Sequence, residues 1–168
     1  MDADEAIADL LSRSGDRLLR LAFQLCHDRT AAEDLVQQAL EQVYRRWRAR
    51  GVVEQPHAYA RKAVLNEYLR RRRLASSHEV LTDALHETPG RVGADAIVER
   101  DAMWQALGRL PRRQRAALVL RYYEDVPDAE IAVLLGCRPA TVRSLVARGL
   151  AGLRDVVGAA ADSRDGAR

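Results

Sequence analysis

Residues 128–154 read DAEIAVLLGCRPATVRSLVARGLAGLR, and this stretch decides the kind of fold. Asp128 to Leu135 has the pattern of a short helix, Gly136-Cys137-Arg138 that of a tight turn, and Pro139 opens a longer helix to Arg154. Proline suits that first helical position, where its missing N–H costs no intrahelical bond. Ala132 is small where two helices must approach, Gly136 is free to take the positive φ of the turn, and Val142 is apolar where the second helix packs back. Ile131, Leu135 and Leu150 extend this miniature core. The bland reading is an ordinary helical hairpin; these residue types at these offsets, with arginines on the second helix, point instead to a DNA-binding helix-turn-helix.

Taken as a recognition helix, the second helix offers Arg138, Ala140, Thr141, Arg143 and Ser144 in its first turns, with Arg148 further along. Arginine can bridge guanine O6 and N7 in the major groove, and threonine or alanine methyls can touch a thymine methyl. Arginines of such helices also serve as phosphate anchors or solvated charges, and the sequence alone does not assign one role to each.

Working outward, the 168 residues are 48% apolar and 30% charged, with few aromatics and five prolines, which suits a helical globular chain rather than a disordered one. The net charge is only +3 and Lys62 is the single lysine, so the informative feature is the clustering of arginine on particular segments. The N-terminus, Met1-Asp2-Ala3-Asp4-Glu5, is acidic and lacks the apolar core of a signal segment, and no apolar run approaches the roughly 18 residues of a membrane span. A cytoplasmic location is the expectation. Cys26 and Cys137 are far apart and have no CxxC partner, so both read as free thiols.

Upstream, apolar residues recur at helical spacing from Asp16 to Cys26, and His27-Asp28-Arg29-Thr30 interrupts the run. Thr30, with Glu33 three residues on, reads as a capping box for a second helix whose stripe runs Leu35, Val36, Ala39, Leu40, Val43, Tyr44 and Trp47. That helix fades at Gly51, and Pro56 starts a third, His57 to Arg73. On the third helix Ala60, Val64 and Tyr68 form an apolar row with Leu65 and Leu69 beside it, while Lys62, Asn66, Arg70 and Arg73 line another side, flanked by Arg71 and Arg72. Residues 74–95, with Ser76-Ser77, Pro89-Gly90 and scattered acids, read as a flexible linker. Helices resume over Ala96 to Gly108, with Ile97, Met103, Trp104 and Leu107 as apolar positions, and from Arg112 to about Tyr123 after the break at Leu110-Pro111. Residues 158–168 are small and polar and read as a disordered tail. The expected architecture is therefore all-α: one small helical domain over 1–73, a linker over 74–95, and a second domain over 96–157 that ends in the helix-turn-helix.

Three segments together carry a family resemblance. Ala32-Glu33-Asp34-Leu35-Val36-Gln37-Gln38-Ala39-Leu40 with Tyr44-Arg45-Arg46-Trp47, then Pro56 to Arg73, then Leu110-Pro111-Arg112-Arg113-Gln114-Arg115 through Arg154, are similar to an RNA polymerase sigma factor of the extracytoplasmic-function group. The resemblance covers most of the chain, and it implies region 2 and region 4 helical domains joined without the larger middle domain of other sigma factors.

The resemblance implies a subunit that binds core RNA polymerase, directs it to promoter DNA for transcription initiation, performs no reaction itself and needs no cofactor. The helix matching Ala31 to Trp47 then faces the clamp helices of the polymerase beta-prime subunit, through Asp34, Gln37, Gln38 and Glu41. Many members carry an acid at the position of Gln38 and an aromatic at that of Leu40. The third helix corresponds to the grip on the melted −10 element, where Lys62, Asn66, Arg70, Arg71, Arg72 and Arg73 supply phosphate-binding charge. The loop Arg50 to Gln55, where the family captures a flipped base, has no aromatic residue, which leaves base choice to backbone and polar groups, with Tyr59 nearby. The recognition helix corresponds to the −35 grip, and its domain also binds the beta flap. Where the family commonly continues with a cation, this chain has Leu145, and Gly149 is expected to loosen the helix. By the same resemblance Glu79, Asp83, Glu87 and Asp95 of the linker thread the RNA path, although a solvated acidic linker is the simpler reading, and an anti-sigma factor is a plausible partner.

Two other readings stand beside this one. A stand-alone helix-turn-helix regulator with an N-terminal oligomerisation domain would bind an operator without polymerase. An enzyme has little behind it: His27, His57, His78 and His86 are scattered, and neither metal-ligand spacing nor a nucleophile motif is present.

Overall fold

The structure is a computed structural model that describes residues 2–75 and 94–165, with side chains for 2–71 and 101–159. The described residues form seven α-helices: α1 (Ala3–Cys26), α2 (Arg29–Arg50), α3 (Pro56–Ala75), α4 (Ala94–Arg109), α5 (Arg112–Tyr122), α6 (Asp128–Leu135) and α7 (Pro139–Asp165). They fall into two compact units, Met1–Leu81 and Thr82–Arg168.

In the first unit, α1, α2 and α3 all pack on one another. Each contributes one apolar stripe, and the stripes meet in a core of Leu18, Leu21 and Leu25 from α1, Leu35, Val43 and Trp47 from α2, and Val64, Leu65 and Tyr68 from α3, every one almost wholly buried. Each such side chain contributes about 1.5–3 kcal/mol of burial free energy, so this seam outweighs any single surface pair.

Two local expectations are corrected here. The first helix begins at Ala3 rather than near Asp16: Asp2 caps it by accepting the Glu5 N–H at 2.8 Å, and Ala6 and Leu10 carry the buried stripe a further two turns toward the N-terminus. The second helix is capped by Asp28, not Thr30. Asp28 is extended and accepts the Ala31 N–H at 2.7 Å, while Glu33 pairs with Arg29 at 3.1 Å instead of reaching back to a cap. The cause lies one residue earlier, where His27 takes the left-handed conformation (φ 57°) and ends α1, so that Asp28 is the residue in position to cap.

In the second unit, α7 packs against α4, α5 and α6 around Leu107, Ala116, Ala117, Val119, Leu120, Ile131, Val142 and Val146. Of the apolar positions read on α4, Leu107 is buried, whereas Met103 is 41% exposed. The disordered tail expected from residue 158 is also corrected: α7 continues to Asp165. Ala159, Ala160 and Ala161 are strong helix formers, and one glycine at 158 costs only about 1 kcal/mol, too little by itself to end the helix.

Candidate nucleic-acid interface

The helix-turn-helix of α6 and α7 turns on Gly136, which is left-handed at φ 63°. Its N–H donates to the Val133 carbonyl, and the Cys137 N–H donates to the Ala132 carbonyl at 2.9 Å, closing the end of α6. Ile131, Ala132, Leu135, Val142 and Val146 are buried at the junction, and Leu150 is half-buried. With that side of α7 committed to packing, Arg138, Ala140, Thr141, Arg143, Ser144 and Arg148 are all left exposed. The Ser144 hydroxyl donates to the Ala140 carbonyl of its own helix at 3.2 Å. Ala140, Thr141, Ser144, Leu145 and Arg148 line a shallow depression, so the half-buried Leu145 gives this surface an apolar floor.

Gly149 does not loosen α7, contrary to the expectation from sequence. It is buried, and a Cβ built on it would lie 2.8 Å from Leu118 Cδ1 and 3.1 Å from Leu118 Cγ. One turn on, a Cβ at Gly152 would lie 2.9 Å from Leu110 Cδ2. The two glycines let α7 lie directly against Leu118 of α5 and the Leu110 corner, which fixes the angle at which the exposed turns of α7 leave the unit.

The basic motif after Leu110-Pro111 serves the fold. Arg115 donates through Nε to the Leu107 carbonyl and through Nη2 to the carbonyls of Gly108 and Leu110, satisfying the end of α4. Arg113 Nη2 donates to the Leu135 carbonyl at 2.8 Å, tying α5 to the end of α6. Sequence reasoning counted these arginines among the family motif without assigning them this work; their position just after a helix break was the available signal.

In the first unit, α3 buries Ala60, Val64, Leu65 and Tyr68 and exposes Lys62, Asn66 and Arg70 as an i, i+4, i+8 stripe. Arg71 is half-buried and donates to the Ala31 carbonyl of α2 at 3.5 Å. The backbone of Arg72 and Arg73 continues α3, and their side chains lie outside the described residues, as do the side chains of Glu79, Asp83, Glu87 and Asp95.

Glu67 is the residue that sequence reasoning passed over. Its side chain is 1% exposed. One carboxylate oxygen accepts from Arg70 Nη2 at 2.8 Å and Arg71 Nε at 3.4 Å, the other from Arg70 Nε at 2.9 Å and Gln42 Nε2 at 3.2 Å. The paired Arg70 guanidinium above all, aided by Gln42 and Arg71, holds the carboxyl below its ordinary range against the opposing effect of burial. The signal was present: Glu67 stands i+3 from Val64 and i+7 from Ala60, on the buried row rather than the polar one.

The loop at 51–55 turns on Gly51 at φ 85°. Tyr59 is half-buried and rests against Trp47 with ring centroids 6.4 Å apart, so it is chiefly a packing residue at the base of this loop. On α2, Asp34, Gln37, Gln38 and Glu41 are all exposed. Gln37 and Glu41 border an apolar groove between α1 and α2 whose walls include Leu11, Leu19, Val36 and Leu40. Cys26 and Cys137 are free thiols. No group of His, Cys, Asp and Glu side chains able to hold a metal ion, and no helix long and apolar enough to cross a membrane, occurs among the described residues.

Comparison with known proteins agrees with this two-unit design. Residues 10–77 match the family model for sigma-70 region 2, and residues 100–153 match that for sigma-70 region 4. The chain is 36% identical to the RNA polymerase sigma-E factor of Streptomyces coelicolor over 143 residues, 83% of this chain and 79% of that protein. It is 31% identical to the ECF RNA polymerase sigma factor SigE of Mycolicibacterium smegmatis, over 88% of this chain and 60% of that one. Its fold is shared with the sigma factor RpoE of Bartonella quintana, solved in complex with the anti-sigma factor NepR, at a TM-score of 0.71 and 23% identity over 90% of this chain and 96% of that one. With both regions matched in order and a curated relative aligned over most of its own length, the chain belongs to the sigma-70 family of RNA polymerase sigma factors, in its extracytoplasmic-function group.

Proposed function

We propose that this sigma factor holds promoter DNA with two grips of different character. In the first unit, the Lys62, Asn66 and Arg70 stripe of α3, continued by Arg72 and Arg73, holds the melted −10 strand, while Arg71 is turned to the α2 junction. In the second, Arg138, Ala140, Thr141, Arg143, Ser144 and Arg148 on the first turns of α7 read the −35 duplex. The observation that carries this reading is that Lys62, Asn66 and Arg70 on α3, and the six residues of the α7 set, stand on the solvent side of helices whose opposite sides are locked into separate cores. A packed helix with one polar face holds its charges in register with a nucleic-acid backbone, which is what phosphate contacts require.

The two surfaces suit two states of DNA. An α-helix fits the major groove of a duplex, and the apolar floor at Leu145 beside Thr141 and Ala140 suits thymine methyls as well as guanine edges. The α3 stripe is a linear row of cations and an amide beside a loop free of aromatics, suited to tracking a single-strand backbone rather than stacking its bases. Asp34, Gln37, Gln38 and Glu41 form the surface toward the polymerase beta-prime clamp helices. The apolar groove that Gln37 and Glu41 border supports this reading, since a partner helix buries apolar side chains in a groove and pairs its polar flank at the rim. Unit two meets the beta flap.

On this reading the chain has no enzymatic chemistry of its own; catalysis belongs to the polymerase, and the site of action is the cytoplasm, where polymerase meets DNA. The Bartonella relative was solved with an anti-sigma factor, and a protein inhibitor of that kind is proposed for this chain also. In vitro transcription with core polymerase on a pool of promoter sequences tests the whole assignment. Specific initiation that requires both the chain and core enzyme is the expected result. Tight binding of the purified chain alone to a palindromic operator, unaffected by core enzyme, would instead mark a stand-alone regulator.

A further inference from the structure

The buried carboxylate of Glu67 lies directly beneath the face of α3 assigned to the melted strand. A buried carboxylate in a small helical unit is costly unless it is fully paired, and here both oxygens are paired, by groups from two helices. Most of that pairing is spent on one side chain. The Nε–H of Arg70 and one of its Nη2–H groups make a two-point pair with the carboxylate at 2.9 and 2.8 Å, which fixes the plane of the guanidinium. The Arg70 side chain remains 56% exposed, and its Nη1 group and second Nη2–H make no further hydrogen bond with the described residues. Arg71, next in sequence, is used differently: its Nε donates to Glu67 and its Nη1 to the Ala31 carbonyl, and it is spent on joining α3 to α2.

We infer that Glu67 is a positioning residue of the −10 grip: it sorts the two neighbouring arginines, assigning Arg71 to the α2–α3 junction and holding Arg70 with its outer edge presented to a phosphate of the melted strand. This inference rests on the assignment of α3 to the −10 element. Without the carboxylate, Arg70 samples many rotamers and must lose that freedom each time it binds a phosphate; with it, the ordering is done on folding. Gln42 completes the arrangement from α2 and sets the carboxylate itself.

This role gives a sign that charge alone does not. Replacing Glu67 by glutamine raises the positive charge of a DNA-facing surface, so a grip working only by charge opens promoters better. A grip working by orientation opens them worse.

The test is a set of variants assembled with core polymerase, with the rate of promoter opening followed by a fluorescent base in the −10 element and folding checked by thermal melting. Arg70→Ala and Arg70→Lys are both expected to slow opening about tenfold, because lysine keeps the charge but cannot form the two-point pair. Glu67→Gln is expected to slow opening by about fivefold, and Glu67→Gln combined with Arg70→Ala to be no slower than Arg70→Ala alone, because residues acting through one another are not additive. If Arg70→Ala slows opening while Arg70→Lys and Glu67→Gln both match the unmodified protein, the positioning role is overturned and the −10 assignment stands. A double variant slower than Arg70→Ala by the full Glu67→Gln factor also overturns it, since Glu67 then acts through packing. If Arg70→Ala itself has no effect, the −10 assignment of this face fails and the inference with it. Should Glu67→Gln not fold, Arg70→Lys decides, because Arg70 lies at the surface and lysine is a good helix former.

Discussion

The two helices proposed to face DNA are braced by different means. On α3 the brace is electrostatic: a buried carboxylate reaches up to Arg70 and Arg71 and across to Gln42 on α2. On α7 the brace is steric: Gly149 and Gly152 let the helix sit against Leu118 and Leu110, and Arg138, Arg143 and Arg148 stand exposed with no ion pair among the described residues. The difference fits the two states of DNA proposed for them. A duplex is itself rigid, so a helix held at the right angle can dock in its groove and let long arginines find their partners; a melted strand is flexible, and binding it gains more from a cation whose orientation is already set.

The largest effect that would break this comparison lies on the charged stripe. Replacing Lys62, Asn66 and Arg70 together by alanine is expected to lower the rate of promoter opening by about a hundredfold. It should also reduce the salt dependence of binding to a −10 single strand by roughly 0.7 logarithmic units for each phosphate no longer neutralised. Unchanged opening would remove α3 from the −10 grip. Next comes the steric brace. Gly149→Val should destabilise the second unit by about 2 kcal/mol, because Leu118 Cγ as well as its terminal methyl must move, and thermal melting would show it. A neutral effect would mean that α7 is not held there. Gly136→Ala, at a left-handed position with open space around it, should cost less, about 1 kcal/mol.

Leu145 sharpens the comparison from the other side. Leu145→Arg adds a cation to the less charged grip and should tighten −35 duplex binding about fivefold at low salt, with the gain fading as salt rises. The smallest effect is that of pH. Because the Glu67 carboxyl titrates below its ordinary value in the folded protein, its contribution to stability is complete above the ordinary carboxylate range, near 4.5, and is lost as pH falls through the lowered value. The melting temperature of the full chain should drop on acidification below that range, and Glu67→Gln should flatten the drop.

Much of this was legible in the sequence, and most of the exceptions share a cause. The helix-turn-helix could be read because its turn needs a positive φ, its helices a small residue where they meet and its entry a proline, each demand met within a few positions by Gly136, Ala132 and Pro139. The stripe of α2 could be read because periodic burial is a local pattern. Most of what could not be read depended on partners distant in sequence. The place of Glu67 on the buried row of α3 was local, but its pairing was not, since α2 brings Gln42 and the Ala31 carbonyl beside the network around it. Arg113 and Arg115 stood in the basic motif with no structural work assigned to them until the ends of α6 and α4 supplied their acceptors. Gly149 looked like a weak point because helix propensity is a property of one helix, whereas its use is to admit a second. The start of α1 was hidden by Ser12-Arg13-Ser14-Gly15, which breaks the local pattern without stopping a helix that packs on both sides of it.

The most direct test of two separate grips places a photo-cross-linking amino acid at position 66 on α3 or at position 143 on α7, in initiation complexes assembled with core polymerase. Cross-links are expected from position 66 to the melted strand of the −10 element and from position 143 to the −35 duplex, the former only after opening. Cross-links from both positions to the same duplex segment, present before opening and without core enzyme, would contradict a two-grip mechanism.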